Sequence, residues 1–188
     1  MIEIKGSAVR DTIKAVKERF GDQIYDSILN LLKEETRSIF KNESVMPMTW
    51  YPLDAFVEFL EMDLRVTAHG DEQELIKRSE ILFERQLGGI YRAFIKLGSP
   101  SFVLNVNATV NRTYFRGVDI EVNMPSPGKA IMKYTGFEKQ HRLIGMSIIG
   151  FYRKALEISG AKDISAEFIT AIGDDKGYSE LGLNWKDK

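Results

Sequence analysis

Gly117-Val-Asp-Ile-Glu-Val-Asn-Met124 is where the chain changes its period. Val118, Ile120, Val122 and Met124 alternate with Asp119, Glu121 and Asn123, which puts one apolar row on one face of a strand. Pro125-Ser-Pro-Gly128 supplies a turn, and Lys129 to Tyr134 is the expected returning strand. A second alternating stretch follows near the end. Ile164, Ala166 and Phe168 face one way, Gly173-Asp-Asp-Lys-Gly177 turns the chain, and Leu181, Leu183 and Trp185 return. Between the two hairpins, Glu138 to about Ser159 reads as a helix closed by Gly160.

Upstream of Gly117 the apolar residues recur at helical spacing. Val9, Ile13, Val16 and Phe20 form one stripe that stops at Gly21, and Asp22 is placed to cap a second helix. That helix is expected to turn Ile24, Ile28, Leu31, Leu32 and Ile39 inward. After a loop ending in Trp50-Tyr51-Pro52, a third helix carries Leu53, Phe56, Val57, Leu60 and Leu64 and closes at Gly70. Asp71 with Glu74 has capping-box spacing and opens a long helix to about Leu97. Ser99-Pro100 starts another, through about Tyr114. Helices first and antiparallel strands last predict an α+β fold, N-terminal helices packed with a sheet of two hairpins that a long central helix separates. No linker, repeat or low-complexity segment divides residues 1–188, so one domain is expected.

Composition removes several classes of function. The 26 basic and 27 acidic residues nearly cancel, so no global field draws the chain to nucleic acid. The uncharged stretch Leu143 to Tyr152 is far short of the ~20 residues that span a bilayer. Met-Ile-Glu-Ile-Lys5 has no signal-peptide core, and a cytoplasmic protein without membrane insertion is the expectation. With no cysteine, disulfides, thiolate metal sites and cysteine nucleophiles are excluded. Only His69 and His141 offer imidazole. His69 beside Gly70 reads as a helix C-terminal residue. His141, inside the charged run Glu138-Lys-Gln-His-Arg142, reads as exposed. No phosphate loop, nucleophile elbow or zinc-protease signature occurs, so no catalytic residue is named and no metal is expected.

Three features invite binding. Gly88-Gly89 sits inside a helix, where each glycine costs roughly 1 kcal/mol relative to alanine. Gly145 and Gly150 repeat the oddity on the central helix. Facing glycines either bring two backbones together or leave a gap for a small apolar ligand, lined by Leu87, Gly88, Gly89, Tyr91, Gly145, Ile148, Gly150 and Tyr152. Trp50 and Tyr51 are candidate anchors for a second copy or another protein, or else cover the domain's own core.

Taken in order, Lys5-Gly6, Phe20-Gly21, Trp50-Tyr51-Pro52, Ser99-Pro100, Gly145 to Gly150 and the last hairpin give the chain a resemblance to a known superfamily. It joins haem nitric-oxide-binding domains, 4-vinyl-reductase-like domains and TRAPP vesicle-tethering subunits, and the nearest likeness is to an uncharacterised myxobacterial-type branch. In the haem-binding branch a mid-chain histidine ligates iron and a Tyr-x-Ser-x-Arg motif holds the propionates. Here the similar stretch is Tyr134-Thr-Gly136-Phe-Glu138, and no histidine lies between Glu72 and Arg116. The resemblance thus implies the fold with no cofactor. The vinyl-reductase-like cysteines are also missing, around Gly173-Asp174. The expected function is a non-enzymatic sensory or adaptor module acting by protein association, as a homodimer or with a partner, or by binding a small apolar ligand. The alternative is an enzyme whose carboxylates and hydroxyls carry no sequence signature.

Overall fold

The computed structural model describes residues 1–41, 45–86, 95 and 98–187. Strand β1 (Glu3–Lys5) runs straight into α1 (Gly6–Phe20), whose buried stripe is Gly6, Val9, Ile13 and Val16. Helices α2 (Asp22–Leu31) and α3 (Glu34–Phe40) follow where one helix is expected. The break at Leu32-Lys33 has a physical cause. Leu32 is extended and buried, and Arg37 donates to the carbonyls of Leu29, Asn30 and Leu32, satisfying the end of α2. Leu31, expected inside, is thereby left 46% exposed.

Strand β2 (Trp50–Pro52) leads into α4 (Leu53–Thr67), which buries Leu53, Phe56, Val57, Phe59, Leu60 and Leu64. Its end is left-handed at His69 and Gly70, and Asp71 caps α5 (Gln73–Gln86) by accepting from the backbone N–H of Gln73. Glu74 does not reach back to complete a box, and instead pairs with Lys77 at 2.8 Å. Helix α6 (Pro100–Tyr114) is capped by the Ser99 hydroxyl and ends in the short strand β3 (Phe115–Arg116).

Two sheets result. A small one, unforeseen from periodicity, has the order β2-β1-β3, and its two- and three-residue strands are too short to show a period of two. The larger one holds β4 (Asp119–Ser126), β5 (Lys129–Thr135), β6 (Lys162–Thr170) and β7 (Tyr178–Lys186), all antiparallel, in the order β4-β5-β7-β6. Both hairpins therefore share one sheet, as expected. Ile120, Met132, Tyr134, Leu181 and Leu183 face inward and are buried. Arg112 of α6 donates to the Ile120 carbonyl at 2.7 Å, covering part of the β4 edge. Between the hairpins lie a single 3-10 turn (Lys139–His141) and the central helix α7 (Arg142–Ile158).

One buried polar cluster lies inside the helical layer. The Asp63 side chain on α4 is 1% exposed, with Arg78 of α5 at 2.8 Å and Thr67 at 3.0 Å. Burial pushes its carboxyl above the ordinary value, against the opposing pull of Arg78 and the Thr67 hydrogen bond. Asp63→Asn should destabilise the fold by about 3–5 kcal/mol, because it leaves the Arg78 guanidinium buried without its counter-charge. Denaturant unfolding at neutral pH measures the loss. The pH dependence has a definite sign: the folded chain holds this proton more firmly than the unfolded chain. The contribution to stability is full below the ordinary carboxylate value and declines as pH rises through the raised folded one. The asparagine variant should lack that decline.

Candidate functional site

Helix α7 is the element around which any internal site must be built. Its uncharged run from Leu143 to Tyr152 packs against α5 on one side and the large sheet on the other, and Ile148 and Tyr152 are both buried. The two glycines of the predicted gap look in different directions. A side chain at Gly150 would overlap the Ile76 carbonyl of α5 and press on Ser79, so here the helix backbones touch. At Gly145 a Cβ would meet the rings and methyls of Phe168 and Ile172, at 3.0 and 3.2 Å. Gly150 thus serves close helix packing, and Gly145 makes room for side chains from the sheet side. The other expected members, Leu87, Gly88, Gly89 and Tyr91, lie outside the described residues.

A pair of phenols occupies the centre of the fold. Tyr134 of β5 and Tyr152 of α7 are both fully buried, and aromatic rings flank them. Phe115, Phe137 and Tyr134 succeed one another at 5.6 and 5.8 Å, and Tyr152, Phe151 and Phe83 at 5.2 and 4.4 Å. The Tyr134 hydroxyl has no hydrogen-bond partner of good geometry, although it lies close enough to Tyr152 for the two to oppose ionisation. Burial, first of all, holds it well above the usual phenol range.

His141 is where sequence reading errs most. Expected on the surface, it is 2% exposed. Its Nδ1 accepts from the backbone N–H of Glu138 at 2.9 Å, so Nε2 carries the proton and donates to Asp54 Oδ1 at 2.9 Å. The Glu138 carboxylate in turn accepts from the His141 backbone N–H, closing a capping box. The spacing Glu138-x-x-His141 signalled that box, but the Asp54 partner, 87 residues away, had no local signal. His69 stays at the end of α4 as expected.

The two clefts are shallow and charged. One of about 460 Å³ is lined by Lys17, Tyr25, Asp26, Asn30, Arg37 and Lys41. The other, about 590 Å³, lies between α1, α5 and the end of α6, with Asp11, Lys14, Glu18 and Arg85 over a floor of Ala15 and Leu82. Tyr114 closes it, its phenol raised by burial and then by Asp11. Among the described residues no group of three metal-ligating side chains converges. No helix among them is long and apolar enough to cross a membrane.

At the surface, Trp50 and Lys5 pair across β2 and β1, with Arg116 on β3. Lys5 and Arg116 lie 4.7 and 4.2 Å from the Trp50 ring centre. The Tyr51 hydroxyl turns inward to accept from the Met46 backbone N–H. Met46 and Met48 beside this face are 63% and 78% exposed.

Two sets of substitutions test these assignments. Gly150→Ala should cost about 1–3 kcal/mol by pushing α5 off α7, whereas Gly145→Ala should be near neutral, since only side chains must yield and alanine favours the helix by about 1 kcal/mol. Tyr134→Phe removes a buried hydroxyl without a hydrogen bond of good geometry and should raise stability by about 1 kcal/mol. Thermal unfolding decides both, and a destabilised phenylalanine variant would mean that the hydroxyl is bonded to Tyr152.

No family model and no curated protein matches the chain. Solved structures do. An H-NOX protein from K. algicida in the Fe(II) unliganded state is 16% identical over 98% of each chain, with a TM-score of 0.71. An H-NOX protein from S. oneidensis in the Fe(II)NO state is 12% identical at a TM-score of 0.72, over 98% of this chain and all of that one. An oxygen-binding H-NOX domain related to soluble guanylate cyclases gives 13% and 0.67 over 98% and 96%. All three fall on the haem-binding side of the resemblance, and the vinyl-reductase-like, tethering and myxobacterial branches are represented by none of them. At such identities the likeness establishes architecture: the chain shares the H-NOX fold.

Proposed function

We propose that this chain is a non-catalytic sensory or adaptor module of the cytoplasm that acts by protein association, as a homodimer or with another protein. The observation that carries the reading is the Trp50 face. An aromatic side chain is held in place by two cations on a rigid three-stranded sheet, beside two exposed methionines. A pre-positioned aromatic of this kind loses little freedom on binding, which is the property of an interface anchor. The sensory part of the reading draws on the fold shared with an oxygen-binding H-NOX domain. An enzymatic role finds less support. The carboxyl raised by burial among the described residues, Asp63, is spent on Arg78 in the core and lines neither cleft.

A second route is binding of a small apolar ligand near Leu87, Gly88, Gly89, Tyr91, Gly145, Ile148, Gly150 and Tyr152. The unpartnered Tyr134 hydroxyl favours it, because such a ligand with one acceptor atom would satisfy that donor. Native mass spectrometry of the purified protein separates the routes. Association predicts a dimer or a co-purifying protein that Trp50→Ala dissociates, with an unchanged melting temperature. A monomer that retains a small molecule in both wild type and Trp50→Ala would put the second reading in its place.

A further inference from the structure

The stretch from Tyr134 to His141 is built for a different task from the one its resemblance implies. In a haem-binding relative this stretch would offer serine and arginine to the propionates. Gly136 stands where serine would, and it cannot carry a side chain. Its φ of +115° is left to glycine, and a Cβ would overlap the Gly117 carbonyl where β5 leaves the sheet. Glu138 stands where arginine would. Its carboxylate accepts from the His141 backbone N–H and from Gln140 Nε2 at 2.7 Å, so the group at this position is an anion where a propionate would need a cation.

The iron ligand is missing by the same kind of substitution. Between Glu72 and Arg116 the sequence has no histidine, cysteine or methionine. Among the described side chains of α6 the buried ones, Pro100, Val103 and Leu104, are apolar, and Val103 and Leu104 pack into the core. Elsewhere, His69 lies in a left-handed turn at the end of α4. His141 has both ring nitrogens bonded, one to the Glu138 N–H and one to Asp54. An imidazole cannot keep those bonds and also give a lone pair to iron. Burial holds the phenols of Tyr134 and Tyr114 in their protonated form, which is not the ligating one.

We infer that this chain takes no haem, and that the stretch corresponding to the haem clamp is a latch in which Glu138, His141 and Asp54 tie the start of α7 to the start of α4. The latch joins the helical layer to the sheet layer through protein atoms alone. Phe137 is part of it: buried, it packs on Phe115, Tyr134 and the His141 ring, so the turn is seated on the core as well as hydrogen-bonded.

The test uses the full chain, free haemin and thermal unfolding. Wild type is expected to give only a broad, non-saturating absorbance with haemin and no change in melting temperature. His141→Gln and Asp54→Asn, in the absence of any cofactor, should each lower the melting temperature by roughly 3–6 °C, the shift expected from one lost buried hydrogen bond in a chain of this size. Asp54 is two-thirds exposed, so its variant will fold even where a His141 variant does not. A sharp, stoichiometric Soret band with a raised melting temperature would overturn the inference. Melting temperatures unchanged in both latch variants would overturn the structural role. Neither result depends on whether the Trp50 face binds a partner, so a failure here is distinguishable from a failure of the association reading.

Discussion

The whole architecture turns on one helix that carries no charge and is largely buried along half its length. From Leu143 to Tyr152, α7 carries no charge, and it meets α5 across a backbone contact at Gly150 while its other side meets the sheet near Gly145. Burying such a helix gains hydrophobic free energy at roughly 25 cal/mol per Å² of apolar surface, without any charged side chain to desolvate. The cost is geometric. Two glycines weaken the helix by itself; Gly150 is tolerated because it permits a backbone approach that a methyl group would forbid, and Gly145 because side chains from the sheet pack against it. The α5–α7 pair then fixes where the helical layer stands relative to the strands, and the polar contacts have only to secure that arrangement.

Those contacts differ in what they secure. Asp63, Thr67 and Arg78 join α4 to α5 within the helical layer, where the charge pair sits in a low-dielectric setting and the ring of Phe20 covers the guanidinium at 5.2 Å. His141 and Asp54 join α4 to the start of α7, across layers, with the imidazole neutral and every ring nitrogen satisfied. The first depends on charge and carries a desolvation penalty. The second depends on tautomer and geometry, which is why a buried histidine can sit there without a compensating ion. Arg142 and Glu72 reinforce the same corner from the surface by an ion pair.

Most of the architecture was legible because it rests on local patterns. The change of period at Gly117 and the uncharged run of α7 both survive in the structure, as do the caps at Asp71 and Ser99. What was illegible rests on distance in sequence. Strands of two or three residues have no period, so the β2-β1-β3 sheet was invisible although Trp50 itself stood out. The α2–α3 break follows from Arg37 reaching back to carbonyls, an interaction that apolar spacing does not encode. His141 was misplaced for the same reason. Its neighbours in sequence are charged, but its surroundings are Phe137 and a carboxylate 87 residues away. For the candidate site, the glycines were correctly found to need compensation, yet spacing alone did not reveal that Gly145 and Gly150 face different partners.

The stretch from Tyr134 to His141 shows how one architecture can change chemistry without changing its backbone plan. A strand leaves a sheet, turns over a left-handed glycine, and starts a buried helix. Three side chains on that path decide the outcome. Where they present hydroxyl and guanidinium groups, the turn is a receptor for an anionic group. Where they present Gly136, Glu138 and His141, the same turn bonds to itself and to α4, and the interior closes over a pair of phenols. A closed interior limits what such a module can report. The half-buried aromatic at Trp50 sits apart from this turn, on the small sheet whose central strand runs directly into α1.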